Sequence, residues 1–179
     1  MKSDPLITYR RKPATLDAES LQSFAEVLRD RVAGGREFHC RITNDAELQS
    51  LNAQFLNKNY PTDVLSFPSP LSPSPLSRSR LSPVGRPFQA ADSLSSESGR
   101  PNGRTVPLGD IAISLQRARA QAREHRHSTE DEIRILILHG VLHLLGMDHE
   151  SDSGRMKRKE QTWRKKLGLP VGLIERAAK

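Results

Sequence analysis

The segment from residue 130 to residue 149, EDEIRILILHGVLHLLGMDH, is the most informative part of the sequence for the fold. Apolar residues fill most of its positions, which predicts a helix from Glu130 to Leu145 that is apolar on nearly all sides. Ser128 and Thr129 precede this helix, with acidic residues three positions further on, as in a capping box. A helix that is apolar all round is predicted to lie at the centre of a domain.

Three histidines in this stretch have the spacing of metal ligands. His139 and His143 are four residues apart, so they share one helical face. Gly146 allows a sharp turn after the helix, which can bring His149 back toward the other two. Three imidazoles leave one position of a tetrahedral ion open for water, as in catalytic zinc sites. We therefore predict one divalent ion, with zinc favoured over nickel, cobalt and copper. The remaining histidines follow no such pattern and are predicted to be surface residues: His39, His125 and His127.

The same spacing matches the metzincin protease signature H-E-x-x-H-x-x-G-x-x-H, except at one position. Gly140 replaces the glutamate that serves as general base in those proteases, which speaks against a peptidase. Asp148 and Glu150 are the neighbouring candidates for a base. Asp148 has a second possible role, which is to orient a histidine from behind.

Shorter patterns on both sides of the histidine segment predict the other elements. Pro68 is expected to stop the third strand, and either Asn44 or Asp45 is expected to cap the second helix. The predicted strands are Ile7–Tyr9, Phe38–Ile42, Val64–Phe67 and Leu108–Ser114. The predicted helices run from Thr15 to Gly34, from Asn44 through Phe55, from Leu115 to Arg126 and from Gly154 to Leu167.

Residues 69–104 differ in kind from the rest of the chain. They are rich in Ser, Pro and Arg with almost no aliphatic periodicity, which predicts a flexible insertion. We expect a single domain over residues 1–179 that carries this insertion. A tolerated loop expansion is favoured over an RNA-contacting arm.

The composition limits which classes of partner and which cellular compartment are expected. The formal net charge of +7 favours polyanions such as RNA. Cys40 is the single cysteine, so no intramolecular disulfide partner exists, which fits a reducing, cytoplasmic setting. No apolar run has signal-peptide or membrane-spanning length, so no membrane association is expected. The oligomeric state is left open.

Three blocks of this sequence together resemble the YbeY family of bacterial metal-dependent endoribonucleases. They are the His139–His149 segment, Leu51-Asn52 followed by PTDVLSFP at 61–68, and LGDIAIS at 108–114. The resemblance covers about residues 40–165. It implies an α+β fold in which a small mixed β-sheet is packed with helices, and a zincin-like central helix carries the zinc ligands His139, His143 and His149. It further implies cleavage of single-stranded RNA in 16S rRNA 3′-end maturation and ribosome quality control, with rRNA and the small ribosomal subunit as partners.

One position departs from the family pattern. Leu56 stands where the family usually has an arginine thought to hold the phosphate, and a leucine cannot stabilise developing phosphate charge. Lys58 is the nearest cation, and Arg78 or Arg80 in the insertion are further candidates. The alternative is a ribosome assembly factor with a structural zinc and weak or no catalysis.

Two further features of the sequence leave their roles open. The basic helix from Gly154 to Leu167 can follow RNA phosphates, although a solvated helix face is slightly favoured. Asp63 and Asp110 lie near predicted strand ends. Each can border the cleft or serve in an ordinary turn.

Overall fold

The computed structural model describes residues 4–70, 106–149 and 152–177. Residues 71–104 of the expected insertion lie outside the described part of the chain. Its two flanks meet, since Ser69 N–H donates to the Leu108 carbonyl (2.8 Å). The strands are β1 Ile7–Tyr9, β2 Phe38–Thr43, β3 Val64–Pro68 and β4 Gly109–Ser114. The helices are α1 Ala18–Arg31, α2 Asp45–Leu56, α3 Leu115–Glu124, α4 Thr129–Leu144, α5 Arg155–Lys166 and α6 Leu173–Ala177.

The strands form one mixed sheet in the order β1-β2-β4-β3. β1, β2 and β4 run parallel, whereas β3 pairs antiparallel with β4 at the edge of the sheet. Pro68 does not stop β3, as the sequence suggested, but pairs with Gly109 as its last residue. An edge strand tolerates a proline because the missing N–H interrupts no ladder on its open side. The expected α+β fold with a small mixed sheet is confirmed.

Helices cover both faces of the sheet. Ile111 and Ile113 on β4 belong to the main core, which they share with α1 and α4. Ala112, which lies between them, faces a second apolar cluster with Leu48 and Leu51 of α2. Successive β4 residues thus point to opposite faces, as the period of a strand requires.

Helix α4 lies at the centre of the molecule. It packs against β3, β4, α1, α3, α5 and α6. Eleven of its sixteen residues are buried, so hardly any of its surface is available to solvent. Ser128 caps it by accepting from Asp131 N–H (3.0 Å), and the central helix with its cap is confirmed.

Some boundaries differ from the prediction. α1 begins at Ala18, three residues after Thr15, because Asp17 accepts from Ser20 N–H (3.0 Å) and caps the helix there. Asn44 is the cap of α2, through Glu47 N–H (2.9 Å). The sequence patterns did not predict α6, which has only five residues.

The single cysteine is sequestered in the sheet. Cys40 lies on β2 with no exposed surface, and burial raises the pKa of its thiol. Among the described residues, none of the helices combines the length and the apolar character that a membrane span requires.

Candidate metal centre

The chain turn that follows α4 returns His149 to the other two histidines. Gly146 adopts φ 82°, a left-handed conformation that glycine reaches without strain. Its N–H donates to the His143 carbonyl (2.9 Å), and Met147 N–H donates to the Leu142 carbonyl (3.2 Å). This is the Schellman pattern of a helix C-terminus, and it confirms the turn predicted at Gly146.

The three imidazoles converge as a ligand set would. One ring nitrogen from each of His139, His143 and His149 lies within 4.8 Å of the other two. His139 Nε2 and His143 Nε2 are 3.0 Å apart. An ion about 2.0–2.1 Å from each nitrogen in tetrahedral geometry separates neighbouring nitrogens by about 3.3 Å. The donor set therefore fits zinc, with small adjustments of the side chains.

Burial holds His143 in the form that binds metals. Desolvation, together with the charges of His139 and His149, lowers the pKa of His143 to about 4. Metals bind the neutral imidazole, so His143 is ready to act as a ligand at neutral pH. His139 is almost fully buried and His149 is exposed, which leaves one side of the cluster open to solvent.

Glu160 on α5 holds His139 from behind. Its Oε1 accepts from His139 Nδ1 (2.9 Å), and its Oε2 accepts from Ile174 N–H (3.0 Å). A proton on Nδ1 leaves the lone pair on Nε2, which faces the other histidines. Carboxylates placed in this way fix the tautomer and ring orientation of ligating histidines.

The sequence patterns missed Glu160, although they contained a signal for it. Met156, Glu160, Trp163 and Leu167 follow one another at helical spacing, so Glu160 interrupts an otherwise apolar face. A carboxylate on a buried face needs a partner. The many cations around Glu160 favoured the interpretation of this helix as a solvated one instead.

A second buried carboxylate fixes α6 against α4. Glu132 is fully buried and accepts two hydrogen bonds from Arg176, each 3.0 Å long. His127 also contacts Glu132, and its side chain is mostly buried. The prediction that His127 is a surface residue is therefore wrong, because its side chain packs against the buried Glu132. His39 and His125 are exposed, as predicted.

Gly140 lies where helix α4 approaches the sheet most closely. A Cβ atom at this position would lie 2.9 Å from Cδ1 and 3.0 Å from Cγ2 of Ile111 on β4. A longer side chain there would therefore point into the core rather than toward the histidine cluster. A glutamate at this position would require Ile111 to shift, which agrees with the interpretation that the chain is not a peptidase of that kind.

A cleft of about 400 Å³ opens beside the histidines. Asp63 borders this cleft, which is one of the two alternatives that the sequence left open for this residue. Its Oδ1 accepts from Val64 N–H (2.8 Å) and its Oδ2 from Gln121 Nε2 (2.9 Å). The cleft is lined by His139 and His149 from the cluster and by Asp63, Gln121, Glu124, His125, Leu173, Ile174 and Arg176.

The other predicted site residues occupy different places. Asp148 follows the Gly146 turn, and its charge acts on His143. Lys58 is exposed in the turn after α2 and is absent from the cleft lining, so its catalytic role stays a prediction. Asp110 also lies outside the lining, and burial raises the pKa of its carboxyl. Leu56 packs against the apolar cluster under α2. Glu150, Arg78 and Arg80 lie outside the described residues.

The fold and the histidine cluster together show which class of protein this chain is. It is an α+β domain whose central helix presents two histidines one turn apart, and a third follows a glycine turn. Comparison with known proteins then gives the family. The family described as Endoribonuclease YbeY matches residues 7–168, a longer range than the motifs alone covered.

Individual relatives agree with the family match. A protein from Solibacter usitatus (strain Ellin6076) named Endoribonuclease YbeY is 50% identical over 170 residues, which cover 95% of this chain and 92% of that protein. One from Nautilia profundicola with the same name is 42% identical over 75% of each chain. The solution structure of TM1509 from Thermotoga maritima aligns with a TM-score of 0.48 and 21% identity over 88% of this chain and 85% of that one. The family match and the two relatives establish that this chain belongs to the Endoribonuclease YbeY family.

The role of Glu160 can be tested by metal affinity. We expect Glu160→Gln to weaken zinc binding by about 10- to 100-fold, because the amide no longer fixes the His139 tautomer with a charged acceptor. Affinity would be measured by competition with a chromophoric chelator, and circular dichroism would verify the fold.

Glu132→Gln is the matched control. It removes an equally buried carboxylate that touches none of the three histidines, so it should lower the melting temperature while zinc affinity stays within about threefold. Equal affinities for the two variants would contradict the positioning role of Glu160.

Proposed function

We propose that this chain is a zinc-dependent endoribonuclease that cleaves single-stranded RNA. Membership of the family supports an RNA-cleaving activity, since the relatives carry that activity in their names. The three converging imidazoles support the metal, and zinc is the ion that suits three imidazoles and one open position best.

One observation carries the proposal above the others. The histidine cluster lies at the wall of a cleft of about 400 Å³, and both His139 and His149 line that cleft. Pockets that hold small ligands in proteins have about this size, so a nucleotide can lie against the cluster. A purely structural ion is usually enclosed by four protein ligands, whereas the part of the chain that the structure describes supplies three here, beside an open space.

The residues around the cleft have different chemical roles in this proposal. A zinc ion, when bound, supplies Lewis acidity toward a water molecule or a phosphoryl oxygen. Glu160 retains the Nδ1 proton of His139, so that Nε2 stays available as a ligand. Asp63 presents its carboxylate in the cleft, held by Val64 N–H and Gln121. Asp63 thereby joins Asp148 as a candidate to accept a proton from the attacking water.

The proposal also names the RNA processing step, the cellular compartment and the partner. We place the activity in 16S rRNA 3′-end maturation and ribosome quality control, in the cytoplasm, with the small ribosomal subunit as the partner. The net charge of +7 supports a polyanionic substrate, and the one cysteine supports a reducing setting. Co-sedimentation with small subunits tests the partner.

The activity is tested by cleavage of a labelled single-stranded RNA. We expect EDTA to abolish cleavage and zinc to restore it, and His139→Ala and His149→Ala each to lower the rate by about 100-fold or more. His149 is exposed, so its variant keeps the fold even if the buried His139 variant loses it.

His39→Ala provides the control, since His39 is exposed on β2 and outside the cleft lining. It should cleave at the wild-type rate. Chelator-insensitive cleavage, or histidine variants that are indistinguishable from wild type, would refute the proposal.

A second candidate function is a ribosome assembly factor with a structural zinc and weak or no catalysis. The specific observation in its favour is the charge of the cleft. Arg176 is the one lysine or arginine among the described residues that line the cleft, and Glu132 already holds its guanidinium through two hydrogen bonds. Leu56, at the family's arginine position, packs in an apolar cluster instead. Little positive charge is therefore left to stabilise a phosphate in the transition state.

Leu56→Arg distinguishes the two functions. The assembly-factor alternative predicts a weak wild-type enzyme and a gain in cleavage of about tenfold or more, because a guanidinium supplies the missing charge. The endoribonuclease proposal predicts an active wild-type enzyme and a rate for Leu56→Arg that changes by less than about threefold. Leu56→Gln controls for the lost apolar packing without adding charge.

A further inference from the structure

Helix α5 carries nearly all of the net charge of the chain. Its twelve residues contain seven cations and one carboxylate, Glu160. The helix therefore holds six of the seven net positive charges of the whole sequence. The cations are Arg155, Lys157, Arg158, Lys159, Arg164, Lys165 and Lys166.

The inner face of α5 is fully used by the fold. Glu160 is buried against His139 and Ile174, so it neutralises none of the outer cations. Met156 is buried, and Trp163 packs against the main core. The cations are thereby displaced to the outer face, where five of them are exposed: Arg155, Arg158, Lys159, Lys165 and Lys166.

The exposed cations form two rows along the helix. Arg155, Lys159 and Lys166 are separated by four and seven residues and so share one side, with Arg158 and Lys165 beside them. From the first to the last, the rows extend for about 16 Å. Within residues 4–70, 106–149 and 152–177, no carboxylate forms an ion pair with any of these five side chains. Like charges at such spacing destabilise a helix unless an anion lies over them.

The chemistry of the outer face of α5 indicates which kind of partner it binds. A helix that lies in a membrane surface inserts an apolar face between lipids, but the apolar face of α5 is buried in the core. A regular array of cations with no exposed apolar stripe suits a phosphate backbone, where each contact releases a condensed counterion.

We infer that the outer face of α5 binds the phosphate backbone of the RNA substrate at a distance from the bond that is cleaved. The inference rests on the proposed function for the identity of the RNA. Glu160 contacts His139 from the inner face, whereas the exposed cations lie on the flank and the far side of the helix, and none of them lines the cleft. The face therefore increases the affinity for long RNA and leaves the cleavage of short RNA unchanged.

The test compares two triple variants that remove the same charge. Arg155→Gln/Lys159→Gln/Lys166→Gln neutralises one α5 row. Arg11→Gln/Lys12→Gln/Arg31→Gln neutralises exposed cations after β1 and at the end of α1. Binding of a single-stranded RNA of about 40 nucleotides would be followed by fluorescence anisotropy between about 50 and 200 mM KCl. Cleavage of an oligonucleotide of about six nucleotides would be measured in parallel.

We expect the α5 variant to raise the Kd for long RNA about tenfold or more at 100 mM KCl. Its slope of log Kd against log salt should fall by about two, which corresponds to three phosphate contacts on a single strand. Its kcat/KM for the short oligonucleotide should stay within about twofold of wild type, and the control variant should match wild type in both assays.

Three results would overturn the inference. They are equal losses in the two triple variants, wild-type affinity in the α5 variant, and tighter binding of wild-type protein to phosphatidylserine vesicles than to RNA. The cleavage assay separates this inference from the proposed function. α5-dependent RNA binding without chelator-sensitive cleavage would refute only the proposed function, and cleavage without any effect of the α5 row would refute only the inference.

Discussion

The hydrogen bond between His139 Nδ1 and Glu160 Oε1 joins α4 to α5 at the histidine cluster. Both groups are almost completely buried, and an ionised carboxylate in such a place costs several kcal/mol, roughly, unless it is fully satisfied. Glu160 is satisfied by His139 on α4 and by Ile174 N–H at the start of α6. Gly172 permits this approach, since a Cβ there would lie 2.7 Å from Glu160 Oε2. One carboxylate on α5 thereby joins three helices and orients a candidate metal ligand.

The central helix meets two demands that conflict at Gly140. It must lie close enough to β4 for Ile111 to fill the space under residue 140, and it must also direct His139 and His143 toward His149. The packing leaves no side chain at the position where a metzincin protease has its base. The proposed function therefore takes its general base from outside the helix, and Asp63 is a candidate because it lines the cleft from the residue before β3. The close fit of helix and sheet thus bears on which reaction the site can perform.

Local patterns in the sequence were sufficient to predict most elements and the histidine cluster. Ser128, the apolar run of α4 and Gly146 act within a few residues of one another, so their consequences can be worked out along the chain. The strand order β1-β2-β4-β3 depends instead on pairing between distant segments, as in Phe38 opposite Gly109, and the family resemblance supplied only that the sheet is small and mixed. Glu160 and Arg176 escaped prediction for the same reason, because each finds its partner more than twenty residues away on another helix. His127 was misplaced since its partner Glu132, although near in sequence, lies on a helix face whose burial depends on α6.

X-ray absorption at the zinc K edge of the zinc-loaded protein shows directly whether His139, His143 and His149 hold the ion. We expect one zinc per chain with three imidazole nitrogens at about 2.0–2.1 Å and one further oxygen ligand. In His149→Ala, a more weakly bound oxygen ligand should replace one of the three nitrogens, and the other two nitrogens should remain. A sulfur ligand at about 2.3 Å, or fewer than three imidazoles in the wild-type spectrum, would contradict this ligand set.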